Sequence, residues 1–449
     1  MKKSILLSLL GVSIVIGLSF MFQEIFQVAE WKTIDLRFKV QGKIETDSKI
    51  ILVNADDTSS IKYGRWPWKR SVHAKMISLL NNTGAEIIIY DVLFAYSGDT
   101  EDDNFLVNET KKSKNVIFPV AINFGNPNLN RSDLKDLNLE SYNIKNISSF
   151  TSNYNVLGDT ILPLKSLANV SHGLGHINAN RDGDGVIRRV PLLVKNKNGL
   201  FPSLAFSGIL KYLKITDSNV EIKKSSILLK NVLLPGRREL KNIQIPVDDK
   251  GQMMINYAGR WEETFKHASF ASVLSEQNMD NKQENESLTG KLVLVSNVIS
   301  GHDIKPIPLE KDYPGAGIHA NIINTILTGQ FLRETGVLFN YTLVLLLCLA
   351  TATLMDGRKY YIQTVKVLIL ISTYIFASSI FFQNGIVLKL FVPCSGIILT
   401  AIISLVYQSS REKNLSDSSQ AEKHKIELKL EFISKSLIEK EEALTQIQS

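Results

Sequence analysis

Acidic side chains stand at or near the ends of three short apolar segments of the chain, where a bound ligand could meet them. These acids are Asp56 and Asp57, Asp91, and Asp303. The carboxyl ends of parallel strands line one crevice, so one interpretation is that the acids converge there as a small-ligand or cation site. The full candidate set is Asp56, Asp57, Arg65, Trp66, Trp68, Arg70, Asp91, Asp303 and His319. The other interpretation, which the sequence favours, is that the acids cap helices, close turns and pair with nearby arginines.

Sequence motifs for catalysis are absent. The chain has no nucleophile elbow, no zinc-protease motif, no Walker loop and no dinucleotide-binding glycine motif. Its seven histidines are scattered, and its two cysteines stand far apart, without C-x-x-C spacing. We therefore predict no catalytic residue, no metal and no cofactor, and we expect that this chain is not an enzyme.

The stretch Gly64–Arg70, "GRWPWKR", precedes an amphipathic segment. Pro67 has the fixed φ that suits the first turn of a helix, and a tryptophan stands on each side of it. We expect at least one of the two to pack beneath the helix. A cation is poorly placed at a helix N-terminus, so Arg70 needs an acidic partner. The candidates for that partner are Asp56, Asp57 and Asp91.

Alternating strand and helix patterns set these residues in an α/β fold. Ile50–Ala55 is predicted as a strand, Trp68–Thr83 as a helix with apolar residues at helical spacing, and Glu86–Phe94 as the next strand. Asp102–Lys112 and Asn115–Ile122 repeat the helix and the strand. The pattern predicts a mixed or mostly parallel sheet with flanking helices, in a doubly wound arrangement.

Further elements are predicted in the second half of this region. They are strands Met253–Tyr257 and Leu292–Val295, and helices Leu204–Leu213, Phe270–Glu276 and Gly317–Leu327. The polar, Asn-rich stretch 126–151 has no clear period and is predicted as a surface insertion.

The run Asp182–Gly185, "DGDG", has two interpretations. It resembles part of a calcium loop, but Arg188 and Arg189 stand where that loop needs an acid. Aspartate–glycine pairs are also typical of hairpin turns. The sequence favours a hairpin between Gly173–Asn180 and the segment that follows the turn.

Four apolar runs are candidate membrane spans. They are Ile5–Phe22, Gly336–Met355, Val367–Phe382 and Ile386–Tyr407. The third is short, and its alternative is a buried core helix. The first lacks a small-x-small cleavage site, which favours an uncleaved anchor over a signal peptide.

Positive charges flank the spans asymmetrically. They are Lys2 and Lys3, then Arg358, Lys359 and Lys366, and finally Arg411 and Lys413. The positive-inside rule then predicts a multi-pass protein of the cell membrane with both termini cytoplasmic and residues 23–335 outside. The net charge of +7 is explained largely by this pattern and by solvated surface, so no nucleic-acid partner is expected. Both cysteines lie within spans, so the outer region has no disulfide.

The cytoplasmic tail carries a heptad pattern. Its apolar positions are Ile426, Leu430, Ile433, Leu437, Leu444 and Ile447, with Lys440 at the remaining place. About three repeats favour a coiled coil, and hence a homodimer, over an amphipathic helix lying on the membrane. The predicted domains are an anchor (1–26), an outer α/β domain (27–335), three membrane helices (336–408) and the tail (409–449).

Several long segments of the outer region resemble the CHASE2 family of bacterial extracytoplasmic sensor domains. They include "ILVNADDTS", "GRWPWKRSVHAKMISLLNNTGAEIIIYDVLF", "EDDNFL", "GLGHINANRDGDGVIRRVPLL", "GKLVLVSNVISGHDIKPIP" and "PGAGIHANIINTILTGQFL". The resemblance covers about residues 27–335, and three further spans match the family layout. One difference is Ser296, where family members more often have glycine. The loop that leads from this position to Asp303 is therefore where the resemblance is a weaker guide.

The resemblance implies a sensor that detects an undefined small-molecule or protein signal and passes it to a cytoplasmic output module or partner. Family members usually carry a kinase or cyclase module after the spans. The alternatives are a structural or protein-binding envelope protein without signalling output, and an extracytoplasmic enzyme that uses the strand-end acids. The last finds no support in a nucleophile–base pair or a metal motif.

Overall fold

The structure, a computed structural model, describes residues 2–123, 139–145, 149–196, 199–276, 288–356 and 359–448. Most of the predicted insertion at 126–151 lies outside the described residues. The chain forms two compact units. One comprises Met1–Glu30, Thr335–Ser378 and Leu388–Ser449, and the other comprises Trp31–Glu334 and Ser379–Val387.

The strands, in chain order, are β1 (Ile50–Ala55), β2 (Ile87–Asp91), β3 (Val116–Asn123), β4 (Asp159–Ile161), β5 (Gly173–His176), β6 (Arg189–Pro191), β7 (Leu193–Asn196), β8 (Gly199–Pro202), β9 (Val220–Lys223), β10 (Ser226–Leu233), β11 (Leu240–Pro246), β12 (Gln252–Met254), β13 (Lys266–Ser269), β14 (Leu292–Asn297), β15 (Ile304–Lys305), β16 (Tyr313–Pro314), β17 (Arg333–Glu334) and β18 (Ile386–Val387).

The helices are α1 (Lys2–Met21), α2 (Gln23–Gln41), α3 (Asp57–Tyr63), α4 (Arg70–Asn82), α5 (Thr100–Ser113), α6 (Lys165–Val170), α7 (Leu204–Tyr212), α8 (Phe270–Glu276), α9 (Gly315–Thr328), α10 (Val337–Leu354), α11 (Tyr360–Gln383) and α12 (Phe391–Gln448).

A seven-stranded sheet forms the centre of the larger unit. Its order is β13-β1-β14-β2-β3-β4, and β5 also pairs with β3. Every pairing is parallel except that of β3 with β4. The predicted mixed, mostly parallel sheet is therefore confirmed. The two strands that flank α4 do not pair with each other, because β14 lies between them.

Both faces of this sheet are covered by helices. Ile87 and Ile89 of β2 belong to a core cluster that includes residues of α7 and α9. Ile88 and Tyr90 point to the opposite face, where α4, α5, α6 and α8 supply apolar side chains. Strands buried on both faces read as continuous apolar runs, which explains why "EIIIYDV" shows no alternation.

The hairpin predicted around Asp182–Gly185 is wrong, although the turn itself is present. Gly185 N–H donates to the carbonyl of Asp182 at 2.8 Å, and Gly185 has φ +84°. The segments on either side do not pair with each other, because β5 joins β3 in the main sheet and β6 joins β12. The aspartate–glycine pairs therefore mark a turn in a connecting loop.

Arg188 is fully buried beside that turn. Its guanidinium makes two hydrogen bonds of 2.8 Å to the carboxylate of Asp35 in α2. It also bonds Asp182 at 2.8 Å and Asp184 at 2.9 Å, and it lies over the ring of Trp31. A buried cation is stable only when it is fully paired, and here the partners come from both α2 and the turn.

The smaller unit is helical. Among the described residues, α1, α10, α11 and α12 are long and apolar enough to cross a membrane. The fourth predicted span begins later than expected, at Phe391, because Ile386–Val387 pairs with Arg333–Glu334 as a short strand. Glu30, at the end of this unit's first segment, accepts hydrogen bonds from the backbone N–H groups of Leu390 and Phe391. Its carboxylate thus caps the N-terminus of α12.

We expect Arg188→Met to destabilise the protein, because it leaves three carboxylates without their shared cation. Removing one partner of a buried ion pair costs about 3–5 kcal/mol. Thermal unfolding of the full chain in detergent, followed by tryptophan fluorescence, measures the effect. Arg237→Met, at an exposed arginine of the same unit, is the matched control and should change the midpoint little. Equal midpoints for both variants would contradict the role of this cluster.

Candidate functional site

A cavity of about 270 Å³ lies at the carboxyl ends of β2, β3 and β5. Asp91 ends β2 and His176 ends β5. Ser203, immediately before α7, and His319, near the start of α9, complete this part of the wall. Gly175 permits the arrangement, because a Cβ there would lie 2.5 Å from the Cα of Leu204 at the start of α7. We call this cavity the strand-edge pocket.

Asp91 and His319 form the inner pair of the pocket. The Nε2 atom of His319 lies 3.8 Å from the Oδ2 atom of Asp91, and both side chains are nearly buried. Burial raises the pKa of Asp91, while the nearby imidazole of His319 acts in the opposite direction. Within the part of the chain that the structure describes, the carboxylate of Asp91 makes no hydrogen bond, so it remains available to a bound molecule.

His176 is completely buried against the pocket. Neither of its ring nitrogens has a hydrogen-bond partner among the described residues, and the same is true of Nδ1 of His319. Burial, followed by the neighbouring His319, lowers the pKa of His176 to about 3. A neutral imidazole can donate one hydrogen bond and accept another, and leaving it unpaired in the interior is costly.

Asp303 and Lys305 stand at the mouth of the pocket. The Lys305 Nζ atom lies 2.7 Å from Asp303 Oδ1, and both side chains are partly exposed. Asp303 has φ +43° and lies over the first turn of α9, where a Cβ on Gly315 would come within 1.9 Å of its carboxylate. Glycine at position 315 is therefore required for this carboxylate to sit at the helix N-terminus.

The other predicted acids lie elsewhere. Asp56 caps α3, where it accepts a hydrogen bond of 2.8 Å from the backbone of Ser59, and Ser269 donates to it at 3.0 Å. Burial alone would raise the pKa of Asp56, but these hydrogen bonds outweigh it and lower the pKa. Asp57 accepts hydrogen bonds from the backbone and hydroxyl of Ser300, which lower its pKa.

The sheet order explains this separation. Strand β14 lies between β1 and β2, so the ends of those two strands are about 10 Å apart, twice the spacing of adjacent strands. Of the nine candidate residues, the structure brings together Asp91, Asp303 and His319. A ligand-binding role for any of the nine stays a prediction.

The tryptophans of "GRWPWKR" belong to the core of the opposite face. Trp68 is buried and donates its indole N–H to the carbonyl of Gly64 at 2.8 Å. Trp66 is half-buried and packs against both Trp68 and His73 of α4. Arg65 is exposed. Tryptophan thus packs beneath α4 as expected, although the helix begins at Arg70 and Pro67 precedes its first turn.

The predicted pairing of Arg70 with Asp56, Asp57 or Asp91 is wrong. Its Nε atom lies 2.6 Å from Oδ1 of Asp103, and its guanidinium also donates to the carbonyl of Tyr96. The reason is local, because the loop after β2 and the first turn of α5 bring an acid to the start of α4.

Sequence reasoning missed three ionisable residues that line the pocket, namely His176, Arg181 and Lys305. The available signal was a histidine within the glycine-rich run "GLGHINANRD", at the end of a short apolar segment. The run was predicted as one arm of a hairpin and not as a strand of the parallel sheet. The rule that the carboxyl ends of parallel strands line a ligand crevice, which placed Asp91, was therefore not applied to His176.

The pocket's groups suit binding of a polar molecule. In the described part of the chain, no group of three or more His, Cys, Asp or Glu side chains is arranged to hold a metal ion. The hydroxyl of Ser203 is occupied in accepting from the backbone N–H of Phe206 at the start of α7.

These features define an α/β domain with a polar strand-edge pocket, linked in sequence to long apolar helices. The CHASE2 domain family profile matches residues 9–355. The chain therefore belongs to the CHASE2 family, whose members are extracytoplasmic sensor domains. The match extends beyond the predicted 27–335 and includes most of α1 and all of α10. Searches of curated proteins and of solved structures each found no match.

We expect the stability of the protein to fall as the pH drops below about 6.5. Burial lowers the pKa of both His73 and His176 to about 3, so the folded state excludes protons that the unfolded chain binds. Their contribution is present above pH 6.5 and is lost toward pH 3, by up to about 1.4 kcal/mol per pH unit for each histidine. In the double variant His73→Gln/His176→Gln, the midpoint of thermal unfolding should change less between pH 7 and pH 5 than it does in the wild type. An unchanged slope would contradict the prediction.

Proposed function

We propose that this chain is a membrane-bound receptor whose strand-edge pocket binds a small polar signal outside the cell. The single observation that carries this proposal is the pocket itself, with a buried carboxylate and buried imidazoles that have no hydrogen-bond partners among the described residues. Perturbed, unpaired polar groups that converge in a cavity are typical of binding sites. Family membership supports the same proposal.

The proposed topology has residues 23–335 outside the cell membrane and both termini in the cytoplasm. It is supported by the helices that are long and apolar enough to span a bilayer, and by the lysines and arginines at their predicted inner ends. We treat the chain as a receptor and not as an enzyme, and we propose that its output passes to a cytoplasmic module or partner.

Helix α9 is the proposed transmitter. Its first turns line the pocket, and it ends at Thr328, where the next residue, Gly329, has φ +71°. A few residues later, Arg333–Glu334 pairs with Ile386–Val387. These two short strands immediately precede α10 and α12 in the chain, so a shift of α9 reaches the start of both helices. For this to work, the signal molecule must bind the protein more tightly when α9 is in one position than when it is in another.

The proposed output element is a homodimer formed through the cytoplasmic part of α12. Four large apolar side chains at heptad spacing are more than half exposed there, at Ile426, Leu430, Ile433 and Leu437. The side chains of Leu444 and Ile447, which continue the pattern, lie outside the described residues. A second copy of the same helix would cover this seam in a parallel coiled coil.

Filling the pocket should abolish the response to a signal. In a thermal-shift screen of small polar metabolites on the full chain in detergent, we expect at least one compound to stabilise the wild type. Ala179→Trp places a bulky ring at a residue that lines the pocket and should remove that stabilisation. Ala421→Trp, at an exposed position of α12, is the matched control and should keep it. A compound that stabilises wild type and Ala179→Trp equally would place the site elsewhere.

Disulfide crosslinking tests the dimer. In a background without Cys348 and Cys394, Ile433→Cys lies in the seam, whereas Lys435→Cys lies on the outer face of the same helix. We expect crosslinked dimers in membranes for the seam variant and few for the control, because paired seam positions approach each other in a parallel coiled coil. Equal crosslinking of the two variants, or none for either, would contradict the proposal.

A further inference from the structure

The charges of the strand-edge pocket are separated by depth. Asp91 lies at the inner end together with two buried imidazoles. Arg181, Lys305 and Asp303 lie toward solvent. The imidazoles apart, the lining has two cations and two carboxylates, so it carries both signs in equal number. A molecule that complements it must also carry both signs.

The inner end requires a hydrogen-bond donor with positive charge. A buried carboxylate is costly unless it is paired, and the imidazole of His319, at 3.8 Å, is too far from Asp91 for a hydrogen bond. Both ring nitrogens of His176 also lack partners among the described residues. An ammonium group supplies three donors, which suit one carboxylate and the lone pair of a neutral imidazole.

A simple anion does not fit this pocket. The N-terminus of α9, which would attract an anion, already holds the carboxylate of Asp303 over Gly315. A phosphate or an organic acid would therefore meet the charges of both Asp91 and Asp303. The cations at the mouth, Arg181 and Lys305, suit a single carboxylate held away from the inner end.

We infer that the pocket binds a free α-amino acid with a small side chain. Its ammonium group lies against Asp91 and His176, and its carboxylate faces Lys305 and Arg181. The volume of about 270 Å³ agrees with a ligand of this size, since it lies just below the range of about 300–1,000 Å³ that is usual for ligand pockets. The inference rests on the proposed function, because it names the chemical class of the signal for the same pocket.

Isothermal titration of the full chain in detergent tests the inference with four kinds of probe. Glycine, L-alanine and L-serine carry both charges, ethylamine carries only the ammonium, acetate carries only the carboxylate, and glycerol carries neither. We expect at least one of the amino acids to bind roughly tenfold or more tightly than the other probes, because two charge-assisted contacts replace one. Binding of acetate or glycerol in preference to all three amino acids would overturn the inference.

Two variants locate the contacts. Asp91→Asn should weaken amino-acid binding by roughly tenfold or more, while Asp217→Asn, at an exposed aspartate, should leave it unchanged. Should Asp91→Asn fail to fold, Lys305→Gln at the half-exposed mouth serves instead, and it should reduce the preference for amino acids over ethylamine. Unchanged affinity in the folded variants would overturn the inference.

The outcome also separates this inference from the receptor proposal. If no amino acid binds, but another compound stabilises the wild type and not Ala179→Trp, the ligand class is wrong and the receptor proposal stands. If amino acids bind wild type and Ala179→Trp equally, the site is wrong and both proposals fail.

Discussion

One buried guanidinium holds together the part of the larger unit on which the pocket depends. Arg188 has no exposed side-chain surface, and its partners are Asp35 of α2 and the aspartates of the turn at 182–184. Separating α2 from the turn would leave charges buried without a counter-ion, which costs far more than breaking a surface pair. The turn lies in the loop between β5 and β6. That loop also carries Arg181, so the cluster fixes one side of the pocket mouth.

Local patterns predicted the main elements well, whereas their order in the sheet depends on contacts that are distant in sequence. β1 has the predicted bounds, because it is a short apolar run that ends at two aspartates. The insertion of β14 between β1 and β2 follows from a segment about 200 residues away, which no local period reveals. The antiparallel sheet β11-β10-β9 was not predicted, because lysine and asparagine interrupt the alternation of its strands.

In the candidate site, too, local patterns placed some residues correctly, whereas others depend on the order of the strands. Asp91 could be placed by the rule that carboxyl ends of parallel strands line a crevice, and His319 and Asp303 meet it there. The rule failed for Asp56 and Asp57 because it needs the strand order as well as the strands. It was not applied to His176, because two aspartate–glycine pairs suggested a hairpin, whereas the aspartates at 182 and 184 in fact hold Arg188.

The same cluster offers a second connection from the pocket to the segments that precede the apolar helices. Arg189, next to the buried arginine, pairs with Glu334 at 2.8 Å. Glu334 belongs to β17, which α9 also reaches through the chain, and β17 pairs with β18. Two links from the pocket therefore end on one pair of short strands, and each link begins at a pocket wall. In the receptor that we propose, a ligand that draws α9 toward the loop between β5 and β6 would change both links together, so its binding free energy would act on the position of β17.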